Sequence, residues 1–260
     1  MEENPGVYAG EPNSYGVRIC FQKNRDDWKA YPDDCQNEEC LKKAPAQYPR
    51  LIHWTIAFDG RLVGQLTGET PTKFLFYSRI GLQKIISTGI IPSIGKPSIE
   101  FAGFPDQPVH RPLVANSQPY FKDPDLWKPV QPSLGALGIL RQQFRRKYPK
   151  LCRSSEPDES TLETLPYRDE DVRVVKAYES REGWIIARLH VNAAIDCNDK
   201  EAGFEIDDPW FVVDSRLSAS YLTSGVWLVE AGDYDEDGKS ELLFSISRYN
   251  RGGYLGAAQK

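Results

Sequence analysis

The chain is expected to be a mainly β protein built from antiparallel hairpins, with one amphipathic helix, and three observations lead there. Short runs rich in Val, Ile, Leu, Phe, Trp and Tyr recur from residue 51 onward, separated by Gly, Asp, Asn and Ser. Such runs suit a pleated surface with one buried face. Only residues 134–148 carry a sustained helical period. The composition, 260 residues with 40% hydrophobic and 27% charged side chains, suits an ordinary water-soluble globular chain long enough to bury a core.

Residues 1–50, rich in Pro, Asn, Asp and Tyr, read as a loop-rich entry segment. Cys20, Cys35 and Cys40 crowd its polar stretch "CFQKNRDDWKAYPDDCQNEEC", which has too few apolar residues to fold unaided. A disulfide staple in an oxidising compartment would secure it; reduced thiols are the alternative. Cys152 and Cys197 complete an odd set of five, with no Cys/His cluster at zinc spacing.

From residue 51 the texture changes. "HWTIAFDGRLVGQL" sets Trp54, Ile56 and Phe58 on one face, turns at Asp59 and Gly60, and returns through Leu62 and Val63, the pattern of a hairpin. "KFLFY" offers a further strand. Seven prolines between 104 and 133 then force extended or turn conformation. In the helix that follows, Leu137, Leu140, Phe144 and Tyr148 are spaced by three and four, Ser133 can cap the start, and Pro149 stops it. Five basic side chains between 141 and 150 fall on its flanks and back, where a solvated face is the expected role.

"SSEPDESTLETLP" is acidic and weakly patterned, so 150–166 reads as a linker between a β-rich lobe at 51–150, ending in the helix, and a second at 167–260; the two could equally form one domain. In the second, "VRVVKAY" and "WIIARLHV" form a hairpin around "ESREG", and "WFVV", "VWLVE" and "ELLFSIS" are further strands. "SRYNRGGY" reads as a turn, and "GGYLGAAQK" leaves little for another strand.

Basic residues number 32 and acidic ones 37, a net charge of −5, which argues against sequence-independent nucleic-acid binding. No run approaches the ~20 apolar residues of a membrane-spanning helix, so no membrane insertion is expected. Nucleophile elbows, phosphate loops, dinucleotide-binding glycine motifs and His-Glu-x-x-His are absent. His53 and His190 fall in strands as hydrogen-bonded face or core residues, leaving His110, in a proline-rich loop, as the one histidine worth testing for catalysis. Trp54, Trp184, Trp210 and Trp227 lie at or near strand starts, where burial is their expected use and a sugar-binding face the alternative.

One stretch carries chemistry. "GDYDEDGKSELLF" packs Asp233, Asp235, Glu236, Asp237 and Glu241 into nine positions. Acids at positions 1, 3 and 5 can turn inward if the backbone curls, and Gly238 at position 6 permits the bend. A hard dication that prefers six to eight oxygens would convert their repulsion into attraction; an acidic, solvated turn is the alternative. An EF-hand needs Glu at position 12, where this chain has Phe244, and helical flanks, where this chain has strand-like ones. Over about residues 225–254 the stretch instead resembles the calcium loop of FG-GAP, integrin-α-type repeats. That resemblance implies side-chain oxygens from Asp233, Asp235, Asp237 and Glu241, the backbone carbonyl of Lys239, and a structural Ca2+. It also implies a propeller-like architecture, irregular because no further repeat is visible; a β-sandwich is the alternative.

Extracellular calcium sites sit toward weak affinity, ~10⁻⁴ to 10⁻³ M, and fill where calcium is abundant. With the cysteines, this favours a secreted, periplasmic or cell-surface location, although no signal peptide is visible. The functional expectation is a calcium-binding binding or structural module with an unknown protein or carbohydrate ligand. The alternative is a secreted hydrolase of polysaccharide or peptide, since paired catalytic carboxylates leave no local signature.

Overall fold

The computed structural model describes residues 2–3, 15–18, 21–24, 27–30, 39, 42, 52–58, 60–68, 82–84, 113–154, 162–191, 193, 208–248 and 251–257. Cys20, Cys35, Cys40, Cys197, His110 and "KFLFY" lie outside them. Among the described residues the fold is mainly β, with antiparallel sheets and one long helix, as expected.

The chain divides into two compact units, residues 1–124 with 227–260, and residues 125–226. The first begins with β1 (Glu2–Glu3), β2 (Tyr15–Arg18), β3 (Phe21–Asn24) and β4 (Asp27–Ala30). Next come β5 (Ile52–Phe58), β6 (Arg61–Gly68), β7 (Leu82–Lys84) and β8 (Val114–Asn116). β5 and β6 form the predicted hairpin, Phe58 opposite Arg61, with Gly60 at φ +69° in its turn. Trp54 and Ile56 are buried as expected, but Leu62 is 48% exposed. A register shift explains it: Ile56 faces Gly64 while Ala57 faces Leu62, so Val63 is an extra residue and the apolar phase breaks. Leu66, beyond the shift, is buried.

In the second unit β9 (Lys128–Pro129) precedes helix α1 (Leu134–Lys147) and β10 (Leu151–Ser154). They are followed by β11 (Leu162–Leu165), β12 (Val172–Glu179), β13 (Ile185–Val191), β14 (Pro209–Val213) and β15 (Ala219–Ser224). Ser133 caps α1, its Oγ accepting the Ala136 N–H at 3.2 Å. Ala136, Leu140 and Phe144 are buried in one cluster with side chains of β12, β13 and β14, so the helix packs with the strands that follow it rather than closing the stretch before it. Three of the five basic residues are engaged within the chain: Arg141 donates to the Val172 carbonyl, Arg145 pairs with Asp169, and the Lys147 ammonium lies 4.4 Å from the Tyr221 ring centre.

Residues 150–166, read as a linker, contain β10 and β11 paired in register from Leu151 and Leu165 to Ser154 and Leu162. Buried Leu151 and Cys152 anchor the pair, and Cys152 is disulfide-bonded. The predicted hairpin of β12 and β13 is present, and the five-stranded sheet has the order β15-β14-β13-β12-β9. The chain then returns to the first unit as β16 (Val226–Gly232), β17 (Glu241–Arg248) and β18 (Arg251–Ala257), a sheet of that order. β18 corrects the reading that little sequence remained for a strand: the seven residues Arg251–Ala257 pair with β17, and the strand takes in Arg251, Gly252 and Gly253, which read as part of a turn.

Candidate metal centre

The acidic loop joins two strands, β16 and β17, which is the flank expected of a hairpin loop and not of a helix-loop-helix. Its curl follows from its own side chains. Asp235 accepts the Asp237 N–H at 3.1 Å, Asp237 accepts the Lys239 N–H at 2.8 Å, and Asp233 accepts the Gly238 N–H at 3.2 Å. Aspartates that hold an amide two residues ahead wind the backbone locally. Gly238, at φ +86°, occupies the left-handed region as anticipated, and Glu236, at φ +63°, occupies it without the freedom of glycine.

The result is convergence. One carboxylate oxygen from each of Asp233, Asp235 and Asp237 lies within 4.8 Å of the others, so this group could hold a metal ion. Two oxygens bound to one calcium at about 2.3–2.6 Å stand no more than about 5 Å apart, so the spacing fits a shared ion. Asp233 is 9% exposed, and its Oδ1 is buried without a hydrogen-bond partner. A buried, unsatisfied carboxylate oxygen is costly unless a ligand meets it.

Glu241, also named as a ligand, stands outside that group of three and holds the loop shut: its Oε2 accepts the Tyr234 N–H at 2.8 Å. Burial, and then the repulsion of Asp235, Asp237 and Asp233, push its carboxyl up to about 7, against the pull of the Tyr234 amide. Lys239 is exposed and is tied in through its backbone N–H.

Beneath the loop, the Tyr234 hydroxyl is buried without a hydrogen bond, and burial, with the nearby Glu230, Glu241 and Asp123 carboxylates, raises its pKa well above the ordinary phenol value. Glu230, itself buried, accepts the Gly60 N–H at 2.9 Å and so joins β16 to the turn of the β5 and β6 hairpin.

A second set of residues was not visible in the sequence. Asp123 accepts from the Ser240 hydroxyl at 2.6 Å, the Lys122 carbonyl accepts the Asp233 N–H at 2.9 Å, and the Tyr120 hydroxyl donates to Glu236 at 2.8 Å. These partners lie more than a hundred positions from the loop, so no local spacing signals them.

The remaining candidates are dispersed. His53 is exposed and pairs across the hairpin with Thr67 at 3.0 Å; His190 meets Asp208 at 2.8 Å, with Arg188 3.4 Å from the same carboxylate. Trp54 and Trp210 are buried, Trp184 and Trp227 partly so. No helix among the described residues is long and apolar enough to cross a membrane. No family model, no curated protein and no solved structure matches the chain.

Proposed function

We propose that residues 233–241 form an FG-GAP-type calcium loop, and that the ion braces the β16 and β17 hairpin of an extracytoplasmic, β-rich binding or structural module. Asp233, Asp235 and Asp237 would bind through carboxylates, Lys239 through its carbonyl, and Glu241 through its remaining oxygen. A dication there would neutralise charges that otherwise repel across a few ångströms, and calcium suits an all-oxygen set of this flexibility better than magnesium, which demands a near-ideal octahedron.

The observation that carries this reading is the buried, unpartnered Oδ1 of Asp233 beside two converging aspartates. The disulfide at Cys152 supports an oxidising compartment, where calcium is also plentiful enough for a weak site. The partner would be a protein or a carbohydrate.

Thermal melts with calcium and with chelator test the site. At a hundredfold excess over Kd the ion stabilises the native state by about 2.7 kcal/mol. For a chain of this size that is a rise of roughly 5–10 °C. Asp235→Ala should lose the response. A wild-type melt indifferent to calcium would reject the reading.

A further inference from the structure

Residues 119–124 read Pro-Tyr-Phe-Lys-Asp-Pro, a short segment with a proline at each end, and it meets the acidic loop at its entry, apex and exit. At the entry, the Lys122 carbonyl accepts the Asp233 N–H at 2.9 Å. There the Phe121 ring also covers Gly232 so closely that a Cβ on that glycine would stand 2.4 Å from the ring. At the apex, the Tyr120 hydroxyl donates to Glu236 at 2.8 Å. At the exit, Ser240, fully buried, donates to Asp123 at 2.6 Å. Phe121 further packs on Tyr234, ring centres 5.8 Å apart, and the Pro119 carbonyl accepts from Gln65 of β6 at 3.4 Å.

We propose that residues 119–124 are the second half of the metal site, a strap whose Tyr120 and Asp123 position the loop for the ion, so that calcium binding and the ordering of the strap reinforce each other. The inference rests on the calcium reading above. Three carboxylates brought together without an ion repel, and the strap adds to the loop's own hydrogen bonds in opposing their separation. The strap does so by fixing the backbone of the first ligand and the residue preceding the last, the role that outer partners play around a metal. Its terminal prolines limit the freedom the segment has to lose on ordering. What the strap contributes to calcium affinity, calcium must return as strap stability, because the coupling is reciprocal.

The experiment uses the full chain, with Ca2+ alone as the ligand. Calorimetric titration gives the affinity of wild type, Ser240→Ala, Ser240→Thr and Tyr120→Phe, each well below its melting point. Amide hydrogen exchange follows residues 120–123 in wild type with and without calcium. Ser240→Ala should weaken binding by roughly tenfold, the lower range for loss of an outer partner, and Ser240→Thr should restore it. Tyr120→Phe, an exposed change that leaves the core intact, should weaken it by about threefold, and calcium should slow exchange across 120–123. If wild type binds calcium while 120–123 exchange at an unchanged rate and both hydroxyl deletions bind as wild type does, the strap is overturned and the calcium loop stands. If wild type binds no calcium, the reading beneath it fails first.

Discussion

Glu241 concentrates the electrostatics of the loop in one side chain. Without an ion its carboxyl is pushed up to about 7, chiefly by burial, and then by the three neighbouring aspartates. A carboxyl raised in the folded state contributes stability that is fully present below its unfolded pKa, near 4.5, and is lost as pH rises towards 7, because over that window the folded chain holds a proton the unfolded chain has released. In chelator, wild type should therefore lose more stability between pH 5 and pH 7.5 than Glu241→Gln, read as the difference between their urea midpoints. Saturating calcium takes the place of the proton and should abolish that difference. Calcium affinity of the wild type should rise with pH up to about 7 and then level. Parallel pH profiles for the two proteins in chelator would show that Glu241 does not titrate in this window.

Helix α1 shows what an element owes to its local sequence. Ser133 caps it, three basic residues occupy its last turn, where the helix dipole favours positive charge, and Phe144 is buried against Phe211 and Tyr148 at ring-centre distances of 6.1 and 5.0 Å. Ser133→Ala should cost about 1 kcal/mol in a denaturant melt, and Ser133→Asp should recover most of it. Such an element is legible because its start, face and stop all lie within seventeen residues, from Ser133 to Pro149. The β5 and β6 hairpin was legible for the same reason, through Asp59 and Gly60, but its register was not: the extra residue at Val63 leaves no mark in composition. β10 and β11 hid in an acidic stretch that reads as a linker, and β18, "RGGYLGA", carries three glycines and no β-branched residue. Both are held by pairing, which tertiary context supplies and propensity does not.

At the scale of the molecule, the acidic loop could be read because its acids and its glycine are neighbours in sequence, whereas the strap could not, because the chain leaves the first unit after Pro124 and re-enters it at Trp227. Nothing in the order of residues says that Asp123 will meet Ser240. The same division makes a prediction about energetics. Phe144 belongs to a buried cluster of the second unit, while Phe121 and Val229, with Tyr234 packed against them, form one in the first, and the two clusters share no residue. Mutations without shared partners combine additively to within about 0.5 kcal/mol. Phe144→Ala should lower stability by roughly 3–5 kcal/mol, the usual cost of emptying a buried phenyl site. Calcium should nevertheless stabilise that variant by the same increment as wild type, and Asp235→Ala should remove the increment in either background. Denaturant melts of the four proteins, each with calcium and with chelator, supply every term. A calcium increment that shrinks in the Phe144→Ala background, while the variant remains folded, would mean that the loop draws on the packing of the second unit, and the ion's role would then extend beyond the hairpin it is proposed to brace.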